Sequence, residues 1–462
     1  MQTVRFASSF RDPHGFLFKK DDIMYRQINE TGKQDYDLLM DSGLYEKLAK
    51  KGWIVRHSEV DLAKAYDNET AYIVIKPEEI PYISYPYEWS FSQYRDAALL
   101  TLETCLDALG CGMVLKDASA YNIQFVGSKP VLIDTLSFQT YEDGTPWIAY
   151  GQFCRHFLAP ILLMLNVDTT LSQLMRIYID GIPLDLAAEL LPKSKRLNIS
   201  YYIHIFLQGK KIRDAQSAKN AKEITLTKKA LVTILQDLKK MIKASKLKNK
   251  ETEWGSYYED MLNYSDDAFS EKAQIVKEYL DLTNSKFTCD MAGNRGEFSK
   301  IAAQKEGSYV ICFDIDHTAV DRNFASLKKD KVRNILPLIV DLTNPSPDIG
   351  WANNERDSLE RRSGFDCMMS LALIHHLAIS NNLPFELIAS FFSKLAKYLI
   401  IEFVPKEDSQ VQKLLSTRED IFDNYHIDAF EASFNKYFSM VDKKPISESL
   451  RIIYLFKSRS SE

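Results

Sequence analysis

Phe287–Ala302, FTCDMAGNRGEFSKIA, decides how the C-terminal half of the chain folds. It reads as a strand end, a tight turn and a helix start. Asp290 closes a short β run, Met291–Arg295 supplies the turn, and Gly296 opens the helical pattern EFSKIAAQ. Eighteen residues after Gly296, a second strand, SYVICFDID, carries Asp314 at its tip. A βαβ unit with small residues in its first turn and an acid ending its second strand is a nucleoside-binding device. The turn lets backbone approach the ligand, and the carboxylate accepts hydrogen bonds from ribose hydroxyls.

A dinucleotide fingerprint, G-x-G-x-x-G, receives a pyrophosphate at the helix N-terminus. Here the glycine positions are poorly filled, and Asp290 at the start of the turn repels a pyrophosphate. An acid there suits an ammonium or a sulfonium. The segment resembles motif I of class I S-adenosyl-L-methionine (SAM)-dependent methyltransferases, D-x-G-x-G-x-G. Ala292 and Asn294 stand at the first two glycine positions and Gly296 at the third. Alanine is nearly as small as glycine, and asparagine tolerates the left-handed backbone better than most residues.

The rest of the pattern follows in order. Asn334–Pro347, NILPLIVDLTNPSP, reads as a third strand with Asp341 at its end. Phe365–His376, FDCMMSLALIHH, resembles motif IV, the fourth strand of the family. Lys397–Val404, KYLIIEFV, reads as a fifth strand with Glu402 at its end; Tyr425–Phe438 is a mixed helical pattern; and Arg451–Lys457, RIIYLFK, is a last strand at the antiparallel edge. The resemblance implies an α/β fold in the C-terminal part, a Rossmann-like seven-stranded methyltransferase sheet with SAM as cofactor. It implies cofactor contacts from Asp290, Ala292, Gly293, Asn294, Gly296, Asp314, Ile315, Asp341 and Leu342. An aromatic segment before the core, WGSYYEDMLNYSDD (Trp254–Asp267), would cap the cofactor through Tyr264 or simply pack at a domain junction. A hydroxyl acceptor needs a general base. The candidates at the sheet's C-terminal edge are His375, His376 and Glu402.

The N-terminal half holds a second resemblance. Met113–Phe138, MVLKDASAYNIQFVGSKPVLIDTLSF, sets Asp117, Asn122 and Asp134 in the D-x-x-x-x-N…D order of protein kinases and small-molecule phosphotransferases. Gly15–Ile28 reads as a hairpin, Lys33–Lys51 as one helix and Ser92–Leu109 as a helix before the loop. A glycine-rich phosphate loop is missing, and Thr135–Leu136 replaces Phe-Gly after Asp134. The domain is read as an α+β kinase-like fold. No metal site is expected unless that site is live, when Asn122 and Asp134 would hold the ion.

Three regions result: residues 1–208, the kinase-like domain; 209–269, a basic helical linker and aromatic cap; and 270–462, the methyltransferase domain. Gly209–Lys250 carries 13 Lys and Arg against Asp214, Glu223 and Asp237. Leu231, Ile234, Leu235, Leu238 and Ile242 recur there at helical spacing, so part of it is an amphipathic helix, read as a solvated connector or as a site for an anionic partner. It lacks aromatic residues, which argues against single-stranded nucleic acid.

Composition fits a two-domain globular chain: 462 residues, 45% hydrophobic, 26% charged, net charge −5. The six cysteines form no C-x-x-C pair, so reduced, packed thiols are expected. With no membrane-length apolar run and no export signal, a cytoplasmic chain is expected. FRDPHGFLF, YPYEWSFSQ, KDASAYNIQF, LIDTLSF, DMAGNRGEFS and EFVPKEDSQVQKLL together resemble a nodulation-associated family of bacterial methyltransferases. That resemblance implies methyl transfer to oxygen or nitrogen of a small-molecule, saccharide or lipid-linked glycan acceptor. A bifunctional kinase–methyltransferase and a non-catalytic SAM-binding scaffold remain open alternatives, as does the oligomeric state.

Overall fold

The computed structural model describes residues 3–210, 225–247 and 266–459. The chain divides into two compact units, Met1–Lys248 with Asp348–Arg356, and Asn249–Pro347 with Asp357–Glu462.

The first unit begins with an antiparallel sheet of β1 (Thr3–Arg5), β2 (Gly15–Lys20), β3 (Ile23–Asn29), β4 (His57–Val60) and β5 (Ala71–Pro77), in the order β1-β2-β3-β5-β4. Alternation along β2 turns Phe16 and Phe18 inward against Tyr25 and Val74. β2 and β3 form the expected hairpin, pairing Gly15 with Ile28 and Lys20 with Ile23. Lys33–Lys51 is two helices, Lys33–Asp41 and Leu44–Lys51, because the chain turns left-handed at Gly43 (φ 73°).

A capping box starts the helix Phe91–Gly110. Gln93 N–H donates to Ser90 Oγ, and Ser90 N–H donates to the Gln93 side chain. Two small antiparallel ladders follow: β6 (Met113–Leu115) with β9 (Phe138–Thr140), and β7 (Ile123–Val126) with β8 (Lys129–Leu132). The amphipathic helix is Lys228–Ala244. It packs on Phe91–Gly110, burying Leu231, Leu235, Leu238 and Ile242, and Lys239 pairs with Glu103 at 2.5 Å. It is therefore an integral part of the first unit and not a solvated connector.

The second unit holds β10 (Phe287–Met291), β11 (Tyr309–Asp314), β12 (Ile335–Ile339), β13 (Phe365–Ser370), β14 (Ala396–Phe403), β15 (Phe438–Pro445) and β16 (Ile452–Ser458). Their order is β12-β11-β10-β13-β14-β16-β15. β10 to β14 are parallel, and β16 runs antiparallel between β14 and β15. The parallel strands are apolar runs because helices cover both faces; every residue of β12 is buried. Strand order reverses between β10 and β13, which puts the ligand crevice outside the C-terminal ends of these two strands.

One expectation fails at the edge. Arg451–Lys457 becomes the interior strand β16, and the edge is β15, FSMVDKKP. Asp442, Lys443, Lys444 and Pro445 break its apolar pattern, and such charges keep an edge strand from pairing with other chains. Tyr264, with Trp254, Tyr257 and Tyr258, lies outside the described residues. Among the described residues all six cysteines carry free thiols, and no helix is long and apolar enough to cross a membrane.

Leu235 is fully buried in the docked helix. Leu235→Ala should cost about 2–5 kcal/mol in urea unfolding. A loss below about 0.5 kcal/mol would mark the helix as a solvated connector.

Candidate functional site

Asp290 is the penultimate residue of β10, paired with Cys312 on β11, so Asp314 lies two residues further along the neighbouring strand. Both carboxyls are buried, Asp290 2% and Asp314 6% exposed. The turn between strand and helix closes over them. Ala292 (φ 61°), Asn294 (φ 50°) and Gly296 (φ 79°) all adopt the left-handed backbone. These are the three positions that motif I fills with glycine, so alanine and asparagine hold the glycine conformation here at some cost in strain. Gly293 is required for space: a Cβ there would sit 2.6 Å from Cys312 Sγ and 2.7 Å from Asp290 Oδ2.

Each carboxylate is oriented by donors. Ser299 Oγ–H donates to Asp290 at 2.6 Å. Asn294 N–H and Asp316 N–H donate to the two oxygens of Asp314, each at 2.8 Å. Asp316 itself caps the helix His317–Lys329. Burial pushes the Asp290 carboxyl up from 3.8 to about 7, with the Asp314 charge adding to it. Burial likewise pushes Asp314 up to about 6 against the pull of its two backbone donors. The pair is a pocket of negative potential that the protein's own cations leave incompletely balanced.

The same edge carries the adjoining groups. Ile315 is 57% exposed just beyond Asp314. Val340 N–H donates to Asp314 O, which brings Asp341 and Leu342, two and three residues past β12, beside it. The Asp341 carboxylate is turned into its own loop and accepts from Thr343 N–H and Oγ–H. On the other side of β10, Ser370 ends β13 opposite Met291, and its buried Oγ has no hydrogen-bond partner.

The loop after β13 presents the two histidines. His375 is 1% exposed, its Nδ1 has no hydrogen-bond partner, and burial holds its imidazole neutral, well below the usual histidine range. His376, half-buried, opens a single π-type turn, His376–Ser380, with the two rings 4.2 Å apart.

Glu402 is a correction. It is fully buried, its Oε2 lies 2.6 Å from Lys272 Nζ, and its Oε1 lies 3.5 Å from Arg451. It also accepts Ala372 N–H at 2.7 Å, and Arg451 is anchored in turn on Asp408. Both of its oxygens are therefore engaged by the protein's own groups. Glu402 instead fixes the left-handed Ala372 (φ 51°) that leads into the histidine loop. Lys272, in the helix before β10, is the partner that sequence reasoning missed. A lysine within an amphipathic helix gives no sign that it turns inward.

In the first unit Asp117, Asn122 and Asp134 do come together. The Asn122 side chain bonds Asp117, and burial, with the Asp134 charge adding to it, raises the Asp117 carboxyl. Asn122 and Asp134 share Ser137 Oγ, at 3.1 and 2.7 Å. Arg26 Nη2 lies 2.6 Å from Asp134, supplying the positive charge that a metal would bring. Among the described residues there is no cluster of three or more His, Cys, Asp or Glu able to hold a metal ion.

Nodulation protein NoeA of Rhizobium meliloti (strain 1021) is 33% identical over 463 residues, spanning 98% of this chain and 96% of that protein. No family model matches. Solved structures that overlap the chain include the magnesium protoporphyrin IX methyltransferase ChlM of Synechocystis PCC 6803, at 17% identity and TM-score 0.30 over 41% of this chain and 84% of that one. Another is the N-methyltransferase NodS of Bradyrhizobium japonicum WM9, at 10% identity and TM-score 0.30 over 42% and 98%.

The carboxyl pair fixes a pH dependence. With pKa values raised on folding, the folded chain keeps protons that the unfolded chain has released. Unfolding free energy therefore falls as pH rises from about 4 to about 7. Asp290→Asn should flatten that slope and raise stability at pH 7.5 by more than about 1.4 kcal/mol, the worth of one pKa unit, relative to its effect at pH 4. Urea unfolding across pH checks it; an unchanged slope would contradict the buried pair.

Proposed function

This chain belongs to the family of nodulation protein NoeA, and on that premise we propose that it is a SAM-dependent methyltransferase acting on oxygen or nitrogen of a small-molecule or glycan acceptor. The observation that carries the reading is the buried Asp290–Asp314 pair beneath a turn with three left-handed residues.

The residues fit that cofactor. Two incompletely balanced carboxylates suit a ligand with an ammonium, a sulfonium and a ribose diol, and disfavour a pyrophosphate. The cofactor supplies, when bound, an electrophilic methyl on a positively charged sulfur. Asp290 offsets cationic charge at the turn. Asp314, already fixed by two backbone donors, accepts from the ribose hydroxyls. Ile315 offers an exposed apolar face to the adenine, beside Asp341 and Leu342. Ala292, Gly293, Asn294 and Gly296 keep the backbone close to the ligand. His375 has an unpartnered nitrogen at this edge, but burial and the nearby cations hold it well below the usual histidine range, which makes it the weaker base of the two histidines. His376 is the more accessible second candidate. Holding the acceptor in line and excluding water is the chain's remaining task.

A bifunctional kinase–methyltransferase is the second reading, favoured by the clustering of Asp117, Asn122 and Asp134. Arg26 on Asp134 stands against it. A SAM-binding scaffold without turnover is the third.

Calorimetry decides the main point. A cationic ligand displaces protons from the carboxyl pair, so SAM should bind more tightly at pH 8 than at pH 5.5 and release protons at pH 6.5. Asp290→Asn should weaken binding at least about tenfold, or 1.4 kcal/mol, and reduce the pH dependence to the part that Asp314 carries. Absence of heat with both SAM and its demethylated product would overturn the proposal. In the same preparation, a thermal shift with Mg-ATP abolished by Asp134→Ala would support the second reading. Binding without methyl transfer to any acceptor would leave the scaffold.

A further inference from the structure

The segment Asp348–Arg356 follows β12 in sequence yet belongs to the first unit, where it lines an open cavity of about 470 Å³ with Arg11, Arg176 and Ile177. Its most prominent group is Trp351, 76% exposed on that cavity wall.

The loop is built to keep the indole there. Gly350 (φ 89°, ψ −161°) lies in a region open to glycine alone, and a Cβ on it would stand 2.5 Å from Glu355 Cβ. Ala352 (φ 53°) and Asn353 (φ 57°) are also left-handed. Glu355, 4% exposed, accepts Trp351 N–H at 2.8 Å and a two-pronged pair from Arg11 at 2.9 and 3.0 Å. Arg356 anchors the far end, its guanidinium 4.4 Å over the Tyr121 ring. A single buried carboxylate thus fixes both the tryptophan backbone and a planar donor group. Stability gives no reason to hold strained backbone so that a tryptophan faces water; recognition of a ligand does.

We propose that this cavity binds a neutral, hydroxyl-rich saccharide, with Trp351 as the stacking platform. An indole face offers a flat apolar surface to the C–H face of a pyranose, and Ile177, 72% exposed, extends that surface. Arg11, Arg176 and Asn353 present planar N–H donors to ring hydroxyls. Charge is close to balanced and so favours a neutral ligand: Arg11 and Arg176 line the cavity with Glu355, and Asp180, just outside the lining, lies 3.6 Å from Arg11. The volume suits a small ligand, within roughly 300–1,000 Å³ for such sites. The inference rests on the first unit alone and stands whether or not the cofactor reading does.

The test uses the full chain with cellotetraose, xylotetraose and chitotetraose as neutral probes and tetragalacturonate as the acidic one. Saturation-transfer NMR and calorimetry should give saturable binding of at least one neutral probe. Trp351→Ala should weaken it at least tenfold with an unchanged melting temperature, and Trp351→Phe should retain most of it. Asp290→Asn should bind the saccharide as the natural chain does, which separates this site from the cofactor site. If Trp351→Ala melts early, Ile177→Ser serves as the second variant and should also weaken binding. No saturable neutral binding, equal binding by Trp351→Ala, or binding of tetragalacturonate alone would overturn the proposal.

Discussion

Two carboxylates buried on adjacent parallel strands, Asp290 and Asp314, set the terms for the second unit. Taking both out of water is costly unless a partner offsets them. The protein supplies donors, Ser299 Oγ–H to one and two backbone N–H groups to the other, and among the described residues no cation is in direct contact with either. Burial accordingly raises both carboxyls above their ordinary range. The left-handed turn over the pair adds conformational strain to the electrostatic one. Strain and mismatch come together at the C-terminal edge of the parallel sheet, and the cofactor proposal rests on that coincidence.

Glu402 shows the contrasting fate of a strand-end acid. At the end of β14 it meets Lys272 and Arg451, and Arg451 meets Asp408, so two positive and two negative groups close on themselves. Such a network is a framework. Its consequence for the site is indirect, because the Glu402 bond to Ala372 N–H sets the path of the loop that carries His375 and His376. Burial beside those cations keeps His375 neutral. Asp366, at the start of β13, is likewise structural, accepting from Lys286 and Phe287 N–H at the opposite end of the sheet.

The first unit repeats the contrast. Asp134 has its own guanidinium from Arg26, and its remaining contacts are to Ser137 and the Leu136 backbone. Glu355 serves in a similar way for Arg11 and the Trp351 loop. In each case a buried carboxylate organises backbone around a site whose exposed parts, here an indole, face outward.

How much of this was legible in the sequence follows from the range of the interactions. Asp290, the turn, Asp314 and the order of the apolar strands are written locally: a strand of period two, small residues where the backbone must turn left, and acids at strand ends. The charged edge strand Phe438–Pro445 escaped, because its outward residues hide the apolar alternation. The docking of Lys228–Ala244 escaped because an amphipathic stripe does not name the surface it covers. Sequence therefore determined the βαβ unit and the acids at its strand ends. Tertiary structure alone decided that Glu402 is bound by Lys272, 130 residues away, that the Asp348–Arg356 segment joins the other unit, and that Trp351 stands exposed. The reason is physical: backbone geometry is fixed by neighbours in the chain, whereas burial and charge pairing depend on residues that only folding brings together.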